Sequence, residues 1–505
     1  MMRYVEALTH VFTLGEDHIL LDINSGAVHS LSPLAYAAVE YWRLSGCRLA
    51  GLEDGVREDR RAGRAKGVGQ GKAAGLGQEA GREATGADAW AGLSEASLAL
   101  LQAAPDRDLA EIGTELADLV AEGMLMSAAP ELASYVLPEY HVVKALCLHV
   151  AHDCNLRCRY CFAGAGAFGG RRELMTLKTG KQALDFLFAA AGDRKHVEVD
   201  YFGGEPLLNF PVVKELIDYG ESESRRRGKI LKQTLTTNGM LLRGEISEFL
   251  NQRDVALVLS LDGRKEVNDR MRPLINGQGS YDVILRHFQA AVAGRGYDNY
   301  YLRGTYTRFN LDFFQDVRHM VENGFDLISA EPVVAEPDEP YAFRREDLAI
   351  LFQQYEALAR YHRERRLAGQ PFTFFHFNLD LDHGPCLPKR LSGCGAGREY
   401  LAVAPEGTLY PCHQFVGQPE FVVGDVERGI VRPEVGRRFQ RCHVLAKEKC
   451  RACWARFYCG GGCHANAWNF NRDLSQPYDL GCELEKKRLE WGIWLKVKEA
   501  EDAES

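Results

Sequence analysis

The stretch "HDCNLRCRYCFAGAG", residues 152–166, packs Cys154, Cys158 and Cys161 into eight residues. Three thiols this close form a fragment of a disulfide framework, half of a zinc site, or a mount that leaves one corner open. The rest of the chain narrows the choice. The N-terminus, "MMRYVEALTHVFTLGEDH", has no apolar h-region and no small-residue cleavage site, so no secretory signal is read. No run approaches the roughly 18 apolar residues of a membrane span. The expectation is a cytoplasmic protein without a membrane partner. In that compartment structural disulfides are rare, and clustered cysteines point to metal or redox chemistry.

The chain has 505 residues, 46% of them hydrophobic, and a formal charge of −9. That length suggests about three domains. The acidic balance argues against a protein that lives by contacts to nucleic-acid phosphates. Of the 14 cysteines, nine crowd the last quarter of the chain: Cys386, Cys394, Cys412, Cys442, Cys450, Cys453, Cys459, Cys463 and Cys482. Cys47 and Cys147 stand alone. The distribution implies two separate cysteine-using regions.

Residues 1–130 read as a first domain. "HVFTLGEDHILLDINSGAVHSLS" looks like two β-segments with Asn24-Ser25-Gly26 as the turn, and "PLAYAAVEYW" continues with helical spacing. Residues 51–90 hold ten glycines and eight alanines, with no aromatic before Trp90. Such a segment buries too little apolar surface to offset its ordering entropy, so a flexible insertion is expected over about 47–94. "DLAEIGTELADLVAEGMLMS" then resumes the domain with a period near 3.6.

From about 143 to 335, six apolar runs alternate with amphipathic segments: "KALCLHVA", "HVEVDYFGG", "KQTLTTNG", "VALVLSLDG", "YYLRGTYT" and "FDLISAEPV". The alternation predicts parallel strands joined by right-handed crossovers, in a full or incomplete barrel. Active sites of such folds lie at the strand C-terminal ends. The cysteine stretch directly follows the first run, at that rim. Residues 336–385 read as a helical bridge, and 386–505 as a Cys-rich domain ending in a helix around 483–499.

Three thiolates can hold a 4Fe–4S cluster and leave one iron free. The spacing Cys-x3-Cys-x2-Cys, with Tyr160 before the third cysteine, resembles the signature of the radical S-adenosylmethionine (SAM) superfamily. "FGGEP" resembles that family's Gly-Gly-Glu-Pro motif. The resemblance implies that Gly203 and Gly204 bring backbone close to the cofactor and that Glu205 accepts from the methionine ammonium. It also implies cofactor contacts from Thr236 and Asn238 in "TTNG", Ser260 and Asp262 in "SLDG", and Arg303, with "EPVV" near the adenine. Each of these polar residues also reads as an ordinary helix cap or strand end.

At the C-terminus, twelve residues separate Cys394 from Gly407 and four more precede Cys412; then comes Cys450-x2-Cys453-x5-Cys459-x3-Cys463, closed by Cys482. This resembles the SPASM domain, which binds two auxiliary 4Fe–4S clusters. The resemblance assigns Cys450, Cys453, Cys459 and Cys482 to the distal cluster and Cys394, Cys412 and Cys463 to the proximal one. The fourth proximal position goes to Cys386 or stays open for a substrate thiolate. Cys47, Cys147 and Cys442 read as inert thiols.

Taken together, "LDINSGAVHSL", "VDYFGGEPLLNF", "RLSGCGAGREYLAVAPEGTLYPCHQFVG" and "YDLGCELEKKR" resemble the maturases of SCIFF peptides, short Cys-rich ribosomal precursors. The fold this implies is a partial (β/α)6 TIM-like radical SAM barrel. A winged-helix-like peptide-recognition domain precedes it and a SPASM iron–sulfur domain follows. The implied activity is intramolecular thioether formation between cysteine sulfur and the α-carbon of an acceptor residue, often threonine. It uses SAM, three 4Fe–4S clusters, a leader-bearing precursor peptide, and a low-potential donor such as flavodoxin or ferredoxin. The Gly-rich insertion departs from that family's pattern. Two rivals remain: formylglycine formation, as in anaerobic sulfatase maturases, and a non-enzymatic zinc-binding regulatory module.

Overall fold

The computed structural model describes residues 4–5, 8–47, 49, 51–61, 90, 92–128, 142–381 and 387–504, with backbone alone at 387–389. The N-terminal unit opens with an antiparallel sheet of β1 (Thr9–Leu14), β2 (Asp17–Asp22) and β3 (Val28–Leu31), in that order. It has three strands where the sequence pattern suggested two segments. Gly15, at φ +65°, makes the extra turn within the first segment. The helix Pro33–Ser45 starts on Ser32, whose side chain accepts from the Ala35 N–H, and stops at left-handed Gly46.

The expected insertion over about 47–94 is corrected at its ends. Leu52–Arg61 forms a helix whose Leu52 and Val56, one turn apart, join Trp42, Trp90, Leu101 and Leu109 in one apolar core. The i, i+4 pair outweighs the surrounding glycines because both side chains leave water. Residues 62–89 lie outside the described residues.

The main sheet contains β4 (Ala145–Ala151), β5 (His196–Gly203), β6 (Ile230–Thr237), β7 (Ala256–Ser260), β8 (Tyr300–Tyr306) and β9 (Leu327–Pro332). All six are parallel and adjacent in chain order. The sequence pattern anticipated each of them. β5 alternates: Val197, Val199 and Tyr201 are buried toward the helical layer, while Asp200 and Phe202 are half-buried on the other, concave face. By register, Cys147, Asp200, Thr234 and Thr236 share that face, as do Ser260, Arg303 and Ser329. β10 (Thr373–Phe374) adds a parallel strand beyond β9.

On the opposite side, β11 (Tyr400–Val403) pairs parallel with β4, Ala402 opposite Cys147. β12 (Thr408–Tyr410), β13 (Gly424–Asp425) and β14 (Gly429–Ile430) follow antiparallel, completing an 11-stranded sheet. The Cys-rich segment therefore continues the barrel sheet. The C-terminal helix is longer than its pattern suggested, Asp479–Glu504. Its Trp494 and Lys498 donate to Asp17 at 2.8 and 2.6 Å, tying it to the N-terminal hairpin. Among the described residues, no helix is long and apolar enough to cross a membrane.

Candidate active site

The loop after β4 carries Cys154, Cys158 and Cys161. A second chain segment clasps it: the Arg157 N–H donates to Pro273 O (2.8 Å) and the Arg159 N–H to Met271 O (2.9 Å). The Leu156 N–H lies 3.4 Å from Cys154 Sγ and Asn238 Nδ2 3.6 Å from it. Burial pushes the Cys154 thiol up to about 12 and the Cys158 thiol to about 11, and the three thiols' charges act on one another. Such thiols lose their protons where a metal compensates the charge, and N–H donors aimed at sulfur suit a thiolate ligand. The donor set therefore fits an iron–sulfur cluster. Among the described residues, no three His, Cys, Asp or Glu side chains converge as ligands of a single ion.

The backbone packing itself requires glycine at 203 and 204. A Cβ on Gly203, at φ +130°, would lie 2.2 Å from Ala151 O, and one on Gly204 2.2 Å from Asp153 O. The glycines bring the end of β5 against the cysteine loop's own backbone. Glu205 is fully buried and accepts from the Leu207 N–H (3.0 Å), Thr237 Oγ1 (2.7 Å) and the Asn238 N–H (2.8 Å). Burial raises its carboxyl to about 7 against these donors. It joins the ends of β5 and β6 beneath the loop. Asn238 completes the link, its Nδ2 donating to Asn155 Oδ1 at 2.8 Å.

Tyr160 and Asp262 meet each other. The Tyr160 hydroxyl donates to Asp262 Oδ2 at 2.6 Å and receives Arg272 Nη1 at 2.9 Å. Asp262 is 2% exposed and also accepts from the Thr305 N–H at 3.0 Å. Asp262, expected from the resemblance to contact the cofactor, accepts here from Tyr160 and the Thr305 N–H. Thr236, Ser260 and Arg303 lie on the concave face. Thr236 Oγ1 donates to Asp200 Oδ1 at 3.2 Å, and Ser260 is in register with Arg303.

Sequence reading missed several groups. Asp200 sits in an ordinary strand alternation, yet burial raises it to about 7, opposed by Thr236 and Arg303. Glu331, named only within "EPVV", lies 2.9 Å from His376 Nε2 and is held well below the usual carboxylate range by His376, Arg488 and Arg303, against its burial. Arg272 had no motif to mark it. Tyr400 OH and His413 Nδ1 are 2.9 Å apart, next to Cys412.

The C-terminal thiols interact as two sets. Cys412 senses Cys463 and Cys394, and Cys463 senses Cys394. Cys482 senses Cys450 and Cys453, and Cys459 senses Cys482. Cys386 lies outside the described residues.

Residues 148–307 match the family model described as the radical SAM superfamily, and residues 394–454 the one described as an iron–sulfur cluster-binding domain, SPASM. An uncharacterized protein of Methanocaldococcus jannaschii is 33% identical over 138 residues, 27% of this chain and 45% of that protein. The chain thus spans less than half of that relative's length. The mycofactocin maturase of Mycolicibacterium smegmatis is 27% identical across 68% of this chain and 86% of its own. The solved structure of native anSMEcpe with bound AdoMet and Cp18Cys peptide superposes with a TM-score of 0.60 at 19% identity, covering 71% of this chain and 99% of that one. That likeness concerns the fold. The two domain matches imply SAM and 4Fe–4S clusters as cofactors. The chain therefore carries a stretch that matches the radical SAM superfamily, followed by one that matches the SPASM iron–sulfur cluster-binding domain.

Proposed function

We propose that the enzyme is a peptide maturase that closes thioether bonds between cysteine sulfur and an acceptor α-carbon in a Cys-rich ribosomal precursor of the SCIFF type. One observation carries the reading. The hairpin β11–β12, which leads into Cys412, is hydrogen-bonded through β11 to β4, the strand that ends in the Cys154 loop. A thiolate-binding cluster at Cys394, Cys412 and Cys463 would then face the same concave surface as the cofactor. Its fourth position would go to Cys386, which lies outside the described residues, or stay open for a substrate sulfur.

Cys154, Cys158 and Cys161 would hold the first 4Fe–4S cluster, with Glu205 and Asn238 fixing the loop around it. When bound, that cluster and SAM supply the 5′-deoxyadenosyl radical chemistry that removes a hydrogen atom from the acceptor. Cys450, Cys453, Cys459 and Cys482 would hold the distal cluster, for three clusters in all. The chain's own contribution is placement: fixing sulfur near the acceptor carbon removes much of an entropic barrier. Arg303, exposed on β8, would bind peptide or cofactor carboxylate. The N-terminal unit would capture the leader as an added strand, since among the described residues β3 pairs with β2 alone. A flavodoxin- or ferredoxin-type donor would reduce the first cluster.

The test is an anaerobic reaction of reconstituted enzyme, SAM, reductant and a Cys-rich precursor, read by mass spectrometry. Loss of two hydrogens per crosslink, one fewer alkylatable thiol and resistance to dithiothreitol are expected. Cys154→Ser should produce no deoxyadenosine. A hydrazide-reactive aldehyde on the peptide would refute thioether formation in favour of formylglycine. SAM cleavage by Cys154→Ser at the wild-type rate would refute the whole assignment.

A further inference from the structure

Arg272 is a buried cation with no place in the motifs above. It follows the helix Lys265–Met271 and is 7% exposed. The two backbone bonds that clasp the cysteine loop come from its neighbours, Met271 O and Pro273 O, so Arg272 is held directly against that loop. Its Nη1 donates to Tyr160, its Nη1 lies 3.9 Å from Asp262 Oδ1, and its buried Nε has no hydrogen-bond partner. Cys158 and Arg272 act on each other's charge.

A guanidinium with an unmet donor is costly to bury. Two buried carboxylates feel its charge, Asp262 and Glu205; Asp262 is shared with Tyr160 and the Thr305 N–H, and Glu205 with Thr237 and two backbone N–H groups. Tyr160 alone could have been held by Asp262, without any cation. Cys158 of the loop is a further group that feels the positive charge. Guanidinium stays protonated at every working pH, so its field on the loop is fixed.

We propose that Arg272 sets the reduction potential of the iron–sulfur cluster on Cys154, Cys158 and Cys161, with Asp262 as the opposing charge. The inference rests on the reading that these three thiolates hold that cluster. Reduction adds negative charge. A fixed cation in a low-dielectric surround stabilises the reduced form, and a fixed anion destabilises it. Arg272 is a positioning and electrostatic group that touches Tyr160 in place of the reacting atoms.

The experiment is a redox titration followed by electron paramagnetic resonance on full-length reconstituted enzyme: wild type, Arg272→Lys, Arg272→Gln and Asp262→Asn. Iron content confirms loading of each. Addition of SAM marks the first cluster, because its signal changes while auxiliary signals do not. Arg272→Gln should shift that midpoint to lower potential, Asp262→Asn to higher potential, and Arg272→Lys should stay near wild type. A structural role would not move the two charge-removing variants in opposite directions. Midpoints unchanged, or moved the same way, overturn the inference. If Arg272→Gln fails to load, the Lys and Asn variants decide it: an unmoved Asp262→Asn midpoint overturns it. If even wild type has no SAM-sensitive signal, the cluster reading itself fails, and the inference with it.

Discussion

Alanine at Gly204 is the sharpest perturbation of the site. Its Cβ would stand 2.2 Å from Asp153 O, 2.6 Å from Asp153 C and 2.9 Å from Gly166 Cα. All three atoms are backbone, so no side chain can swing aside. Ordinary contact begins at 3.4 Å, so the strand end and the cysteine loop must part by about 1.2 Å, the difference between 3.4 and 2.2. Two hydrogen bonds cross this seam: the Gly204 N–H to Ala151 O (2.8 Å) and the Glu205 N–H to Asp153 O (2.9 Å). Overpacking costs about 1–3 kcal/mol, and weakening two bonds adds about 1 kcal/mol each. The sum, about 3–5 kcal/mol, lowers the barrel's melting temperature by roughly 6–20 °C. The larger effect falls on the metal. Cysteine ligands tolerate errors of about 0.2 Å in metal–ligand distance, and Asp153 immediately precedes Cys154. Gly204→Ala should therefore lose the iron of one cluster, roughly four atoms per chain, and keep that of the SPASM segment. Gly170→Ala in the same loop is the control: its Cβ meets only Ala167 O, at 3.5 Å. Calorimetry and iron analysis read both variants. Wild-type stability and iron in Gly204→Ala would refute the steric argument.

Two further outcomes follow from the electrostatics and the packing. Burial raises Asp200 from 3.8 to about 7, so between these values the folded chain binds its proton more tightly than the unfolded chain, and stability falls as pH rises. Asp200→Asn lacks this loss, and its melting temperature should overtake that of wild type from about pH 4 to 7 and hold a constant lead above; parallel curves would refute the shift. Asp17→Ala leaves the Trp494 indole N–H, on a residue 2% exposed, without its acceptor. That costs about 1–3 kcal/mol and should speed amide exchange in β1, β2 and the C-terminal helix with no change in deoxyadenosine output.

The six parallel strands were legible because each is a short apolar run with a polar or glycine stop, a local pattern that no distant contact has to complete. The cysteine loop was legible for a similar reason: its cysteine spacing is fixed within eight residues. Helix Leu52–Arg61 was hidden in a Gly-rich background because its evidence is one apolar pair whose partners, Trp42 and Leu109, come from elsewhere in the chain. Tyr160 and Asp262 were each picked out, but their pairing across 102 residues carries no sequence signal.

By itself, then, the sequence determined the parallel barrel, the thiol mount at its rim and a second Cys-rich region, all set by periodicity and short spacings. The tertiary structure alone decided how they join. β11 adds to β4 by backbone hydrogen bonds that any side chains would permit, which brings the two cysteine regions onto one sheet. Arg272 meets the cysteine loop only in the folded chain, through the backbone bonds of its neighbours Met271 and Pro273, and its guanidinium is buried there, where charges are screened less than in water.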